Sequence, residues 1–135
     1  MKNLLSFKLF ESSRLNDVVK DIKDILLPMA QLDYTTDVST KHFPSNQGTR
    51  QVKREVIKVN IRWGKKAHTI NIDIIDVLHQ LLSYAKAEGF NCHDIPYGDI
   101  KINIDNMQIV YTLKDLEALK SGKVYTVEIT LIRDI

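Results

Sequence analysis

Apolar and polar residues alternate in the first dozen residues of the chain. Leu5, Phe7 and Leu9 are apolar, and a serine and a lysine stand between them. A period of two is typical of a strand, because successive side chains of a strand point to opposite faces. We therefore expect a first strand over residues 5–9.

Two further strands are predicted on either side of a breaker segment. Residues 34–40, YTTDVST, are rich in β-branched side chains, which favour strands. Residues 54–63 alternate, with Ile57, Val59, Ile61 and Trp63 on the expected core face and Arg54, Val56, Lys58, Asn60 and Arg62 on the other. Between them, residues 41–51 contain Pro44 and Gly48, which predicts a protruding loop longer than a hairpin turn.

Two longer segments have apolar residues three and four positions apart, the spacing of a helix with one buried face. The first begins at a capping Ser12 or Ser13, and Pro28 is expected to kink or end it. Its inward-facing residues are Leu15, Val18, Val19, Ile22, Ile25, Leu26 and Met29. The second covers residues 71–88 and ends at Gly89. Its inward-facing residues are Ile74, Ile75, Leu78, Leu81, Leu82 and Ala85.

The C-terminal third predicts a hairpin, a short helix and a last strand. Ile100, Ile102 and Ile104 alternate with polar residues, and a two-residue turn at 105–106 would lead into a strand with Met107, Ile109 and Tyr111 on one face. Thr112 with Asp115 resembles a capping box for the short helix TLKDLEALKSG, which Gly122 would end. The last strand is VYTVEITLIR.

The order of these elements predicts a single α+β domain over residues 1–135. An antiparallel-dominated sheet with two main helices matches the ferredoxin-like, or split βαβ, plan. The final strand, short helix and strand are expected as an element appended to that plan. A chain of 135 residues is long enough for such a core, since it buries about two thirds of its unfolded surface.

Composition is that of an ordinary globular protein, with 44% hydrophobic and 27% charged residues. The apolar runs are far shorter than the ~20 residues of a membrane helix, so we expect no membrane partner. Lys8 and Glu11 interrupt the apolar segment that a secretory signal would need. The single cysteine, Cys92, is typical of a reducing compartment and predicts a cytoplasmic protein.

Charge is distributed unevenly along the chain. Residues 41–66 hold eight Lys or Arg against one acid, a net charge of +7, so the remainder carries −5 within a total of +2. A row of Arg54, Lys58 and Arg62 along one strand would be about 27 Å long, which is commensurate with several phosphates. The predicted nucleic-acid-binding residues are Phe43, Lys53, Arg54, Lys58, Arg62, Lys65 and Lys66. The alternative is a solvated face or an edge protected by basic residues.

Catalytic chemistry has weaker support in the sequence. Asp99 and Lys101 form a D-x-K arrangement, and the acids Asp94 and Glu88 lie upstream. Such a set is compatible with a metal-dependent nuclease. The four histidines show no metal-ligand spacing, and Cys92 is more typical of a small buried hydrophobe than of a nucleophile. Phosphate-loop, dinucleotide and hydrolase motifs are lacking. The sequence therefore favours a protein that acts without catalysis, cofactor or metal, and the nuclease stays as an alternative.

The opening MKNLLSFKLFES resembles the N-termini of many small proteins of tailed bacteriophages, which often begin Met-Lys and carry a Phe-x-x-Phe-Glu-like element before an acidic helix. In phages with a processed prohead, internal capsid proteins have a short leader that is cleaved after a three-residue motif. The motif is Leu or Ile, then any residue, then Glu. Leu9, Phe10 and Glu11 fit that pattern. The resemblance covers residues 1–12 alone; it implies a phage protein in the host cytoplasm, and a cleaved leader as the alternative to a first strand.

Three functions follow from these patterns. The first is a small accessory protein, phage-encoded as the resemblance implies, that self-associates or docks on a protein partner through a sheet face or strand edge. The second is binding of nucleic acid or another polyanion by the basic hairpin 41–66. The third is the metal-dependent nuclease.

Overall fold

The computed structural model describes residues 15–47, 50–63, 68–69, 72–92, 99–104, 108–119 and 122–134. At residues 42–47, 50–53, 68–69 and 72 it describes the backbone alone. The helices are α1 (Leu15–Ile25), α2 (Leu27–Gln31), α3 (Ile72–Ala87) and α4 (Leu113–Ala118). The strands are β1 (Tyr34–Gln47), β2 (Arg50–Trp63), β3 (His68–Thr69), β4 (Asn91–Cys92), β5 (Lys101–Ile104), β6 (Gln108–Val110) and β7 (Lys123–Asp134).

These strands form one antiparallel sheet in the order β1-β2-β7-β5-β6, with β3 and β4 also paired to β7. The α+β class and the antiparallel sheet are therefore confirmed. The ferredoxin-like plan with an appended C-terminal strand is not confirmed, because β7 lies in the centre of the sheet. The predicted strand at residues 5–9 and the alternative leader both lie outside the described residues.

The core lies between the helices and one face of the sheet, as the helical and alternating patterns predicted. Its fully buried side chains include Val18, Ile22, Ile74, Leu78, Leu81, Ile57, Val59, Ile61, Val127, Ile129 and Leu131. Pro28 stands in the first turn of α2, where a missing amide hydrogen is tolerated, so the predicted long helix is divided at Leu26. Within the described ranges no helix is long and apolar enough to cross a bilayer.

The short helix α4 confirms the predicted capping residue. Thr112 is extended, and its Oγ1 accepts a hydrogen bond from the backbone N–H of Asp115 at 3.0 Å. This bond satisfies one of the amide groups that a helix N-terminus leaves without a partner. The helix ends at Ala118, which is earlier than the predicted stop at Gly122.

The predicted loop at residues 41–51 is wrong over most of its length. Strand β1 continues to Gln47 and β2 begins at Arg50, with pairs from Lys41↔Val56 to Gln47↔Arg50. Pairing between β2 and β7 stops at Arg54. In the described part of the chain, the hairpin therefore continues beyond the sheet as a two-stranded ribbon. Backbone pairing with β2 outweighs the breaker composition, and an edge strand such as β1 can hold Pro44.

The hairpin of β5 and β6 has a register one residue away from the prediction. A two-residue turn would pair Ile104 with Met107, whereas the structure pairs Ile104 with Gln108. A shift of one residue reverses which side chains face the core. Val110 is accordingly 5% exposed, and Ile109, which was expected to face inward, is 40% exposed.

Arg133 connects the sheet to the end of α3. Its guanidinium donates from Nε and Nη2 to Glu55 Oε1 at 3.0 and 2.7 Å, and from Nη1 to the Glu88 carbonyl at 3.0 Å. It also lies 4.5 Å from the ring centre of Phe90. Gly89 has a φ of +87°, a conformation that glycine adopts without steric cost, and this lets the chain turn from α3 over Arg133.

Replacing Glu55 with alanine should lower the free energy of unfolding by about 3 kcal/mol, because a buried guanidinium would lose its counter-charge. Asp134→Ala is the matched control, since it removes the carboxylate of the more exposed Arg54–Asp134 pair. In that pair Arg54 Nε lies 3.0 Å from Asp134 Oδ1, and both residues are chain neighbours of the buried Glu55–Arg133 pair. That variant should lose less than about 1 kcal/mol. Urea unfolding of both proteins measures the difference, and equal losses would contradict a special role for the buried pair.

Candidate functional site

One face of the sheet carries no helix in the part of the chain that the structure describes. Alternation sends the odd-numbered residues of β2 from Glu55 to Ile61 and of β7 from Val127 onward into the core, and the even-numbered residues of these segments to this other side. We call this side the open face. Its described residues are Thr35, Asp37, Ser39, Lys41, Arg54, Val56, Lys58, Asn60, Arg62, Asn91, Lys101, Asn103, Ile109, Thr126, Glu128, Thr130, Ile132 and Asp134.

The sheet register arranges the open face in rows that cross the strands. One row runs Asp37, Asn60, Glu128 and Lys101 over β1, β2, β7 and β5. The next row runs Thr35, Arg62, Thr126, Asn103 and Ile109. Residues in one row are neighbours across strands about 4.8 Å apart, so their side chains can act on the same ligand.

The basic residues of the open face differ in how they are paired. Arg54 contacts Asp134 at 3.0 Å, and Lys101 Nζ lies 3.7 Å from Glu128 Oε2. Lys58 and Arg62 are exposed, and neither forms an ion pair with a described carboxylate. These two charges, together with that of Lys41, which is exposed on the same face without a described ion pair, are therefore available to an anionic partner.

A groove of about 460 Å³ lies in the middle of the open face, between the two rows that contain Asn60 and Arg62. Its polar lining comes from four strands, and a hydrogen bond from Asn103 Nδ2 to Thr126 Oγ1 fixes one side of it. The lining side chains of this face are Asp37, Asn60, Arg62, Asn103, Thr126 and Glu128. A groove of this size and polarity fits part of a polar ligand.

The predicted nucleic-acid-binding residues fall into three groups. Arg54, Lys58 and Arg62 are brought together on the open face as expected. Phe43 and Lys53 are backbone-paired strand residues in the ribbon, Phe43 opposite Arg54 and Lys53 opposite Pro44, and their side chains are not described. Lys65 and Lys66 lie outside the described residues.

Trp63 does not occupy the expected core position. It lies at the last residue of β2, is 43% exposed, and meets Tyr125 edge to face with ring centres 5.0 Å apart. A strand end has fewer neighbours that could cover a large ring. The alternation of Trp63 with Ile61 nevertheless predicted the correct side of the sheet for Trp63.

Sequence reasoning did not identify the groove residues on β1, β5 and β7. Asp37, Asn103 and Thr126 are far apart in the sequence and are common types on a polar strand face. A signal was present in the alternation of β5 and β7, which gives the face of each residue. The missing information was the strand order, which places those faces side by side.

The residues of the nuclease hypothesis do not converge in the described part of the chain. Lys101 contacts Glu128 on the open face, whereas Asp99 lines a cleft of about 310 Å³ between α3 and the sheet. Asp94 lies outside the described residues. Among the described side chains, no group of three His, Cys, Asp or Glu could hold a metal ion.

The cleft beside α3 also contains the thiol of Cys92. Burial raises the pKa of Cys92 to about 11, and the negative charge of Asp99 acts in the same direction. A thiol with a raised pKa carries little of the reactive thiolate at neutral pH. The environment therefore suits an inert cysteine better than a nucleophile.

Comparison with family models, with curated proteins and with solved structures finds no match to this chain. A functional proposal therefore rests on the geometry and charge of the open face.

Cys92 should react slowly with a thiol reagent such as DTNB in the folded protein. With a pKa near 11 the thiolate fraction at pH 8 is small, so the reaction should be at least about tenfold slower than in urea-unfolded chain. The same raised pKa favours folding below about pH 8.5, and that contribution is lost as pH rises toward 11. Equal rates in folded and unfolded protein would contradict the protected thiol.

Proposed function

We propose that this protein is a non-catalytic binding protein that holds single-stranded nucleic acid across the open face. One observation carries the proposal: Lys58 and Arg62 are exposed on a sheet face that no described helix covers, and neither has a described carboxylate partner. Lys41 is exposed on the same face, and the hairpin 41–66 contributes a local net charge of +7. Such a positive field attracts anionic chains, and counterions of the nucleic acid are released when lysine and arginine neutralise its phosphates.

The width of the open face favours a single strand over a duplex. Five strands lie side by side in the order β1-β2-β7-β5-β6, so the face is about 19 Å across at 4.8 Å for each step between strands. The major groove of B-DNA is about 12 Å wide and admits a helix or a two-stranded ribbon. A single strand can lie along the basic row instead and expose its bases to the sheet.

The mixed charges of the face predict moderate and strongly salt-dependent affinity. Lys58 and Arg62 are four residues apart on β2, which is about 14 Å and spans more than one phosphate of an extended strand. Asp37 and Glu128 lie beside them and oppose a purely electrostatic attraction. Phosphate contacts would therefore set where a strand lies, and the groove would meet its bases.

The test is binding of labelled oligo(dT) and oligo(U) of about 15 nucleotides, measured by fluorescence anisotropy from about 50 to 200 mM salt. The double variant Lys58→Ala with Arg62→Ala should bind at least about tenfold more weakly and reduce the salt slope by about 1.4. The two oligonucleotides distinguish a DNA ligand from an RNA ligand.

The matched control is Lys20→Ala with Lys23→Ala, which removes the same charge from exposed positions of α1. It should change affinity little, because α1 lies on the other side of the sheet. If both double variants weaken binding equally, net charge rather than the open face is responsible. If the wild-type protein binds neither oligonucleotide at low salt, the proposed function is wrong.

A second candidate is self-association through the outer edge of β1. This strand forms one end of the sheet over 14 residues, and within the described part of the chain only β2 is paired with it. An edge strand offers unpaired backbone groups that a second copy can use. The phage origin implied by the resemblance of residues 1–12, and a cytoplasmic location, remain proposals on which neither function depends.

Edge-to-edge association predicts that alternate backbone amides of β1 exchange more slowly with deuterium as protein concentration rises. Amides of α1 serve as the internal control, since a contact at the sheet edge leaves them unchanged. Light scattering should show a dimer at the higher concentrations. A constant monomer mass with unchanged exchange in β1 would exclude this association.

A further inference from the structure

Asp37 is a carboxylate in a position that phosphate binding alone does not favour. It lies in the central groove of the open face, opposite Asn60 in the register, and it is exposed. None of its described neighbours forms an ion pair with it. A negative charge there weakens attraction for a phosphate chain, whereas it suits a ligand group that donates hydrogen bonds.

Three other polar groups of the groove have partners of their own. Glu128 lies next to the ammonium group of Lys101, and Asn103 donates to Thr126. Asp37 is therefore the carboxylate of the groove that has no basic partner among the described residues, with Asn60 across the strand pair and Arg62 two residues further along β2 as donors. Diagonal neighbours of this kind are about 7 to 8 Å apart, within reach of an arginine side chain.

We propose that this groove recognises guanine in a single strand, with Asp37 accepting from the base and Asn60 or Arg62 donating to it. Guanine presents two adjacent N–H donors, N1 and the exocyclic N2, on its Watson–Crick edge, and a carboxylate can accept both in parallel. The neighbouring O6 is an acceptor and matches the amide or guanidinium donor. Unpaired bases expose this edge, which is how single strands are read.

Other bases match the arrangement less well. Adenine and cytosine each present one amino group beside a ring acceptor, so a carboxylate gains one hydrogen bond and faces a lone pair. Uracil offers one N–H between two carbonyl groups. Inosine keeps N1–H and O6 but lacks the N2 amino group, so it isolates the second hydrogen bond.

The inference rests on the proposed function, and the experiment separates the two. Anisotropy is measured with oligo(U) and with oligo(U) that contains one central guanosine, adenosine or inosine. The wild-type protein should prefer the guanosine oligonucleotide by about tenfold over the other three, which is typical of one well-formed bidentate base contact. Suppose that the double variant of Lys58 and Arg62 no longer binds and that the wild-type protein shows no base preference. This result would support the proposed function and overturn the inference.

Asp37→Asn gives the sharper result, because the two hypotheses predict opposite changes. If Asp37 accepts from guanine, the variant loses the preference for guanosine, while its affinity for plain oligo(U) stays the same or rises. If Asp37 only repels phosphate, the variant binds every oligonucleotide more tightly by the same factor and any preference for guanosine is unchanged, and this outcome would overturn the inference. Asp24→Asn, an exposed acid on α1, is the matched control and should leave both affinity and preference unchanged.

Discussion

The sheet depends on the pairing of its last strand. β7 pairs with β2 and β3 along one edge and with β4 and β5 along the other. Its buried residues Val127, Ile129 and Leu131 lie in the middle of the core, and Arg133 extends the strand to the end of α3. Because its partners come from the N-terminal and the middle parts of the chain, neither half of the sheet can be completed before the C-terminus is in place. Pairs of such long sequence separation make folding slow relative to helical proteins.

The same strands that build the core also build the candidate site. A strand has two faces, so each residue that β2 sends inward is followed by one that it sends outward. Ile57, Val59 and Ile61 are buried by the helices. Lys58 lies between two of these residues in the chain and Arg62 follows the last one, and both lie on the open face. The buried residues fix the register, and the register sets which polar side chains become neighbours across strands. On β2 and β7 the side chains of this surface stand on backbone that is hydrogen-bonded to a strand on each side, which fixes their positions.

Local patterns predicted most of the elements, and they were wrong where pairing overrides local preference. The spacing of Leu78 and Leu81 predicted α3, and Thr112 predicted the start of α4, because helical periodicity and capping are determined by residues close together in sequence. The breaker composition of residues 41–51 predicted a loop, yet pairing with β2 keeps that segment extended. The turn before β6 was one residue too short in the prediction, which placed Ile109 on the wrong face. In both cases the partner strand decides the outcome.

The amino-acid sequence by itself determined the α+β class, the two main helices and the presence of a basic row on one face of β2. Tertiary structure decided that β7 is central, that Arg54 is paired with Asp134 while Lys58 and Arg62 are not, and that Asp37 faces Asn60 in the groove. The physical reason is the range of the interactions. Periodicity and charge are read along a few residues, whereas strand order and ion pairing join residues up to 80 positions apart, and only the folded chain brings these into contact.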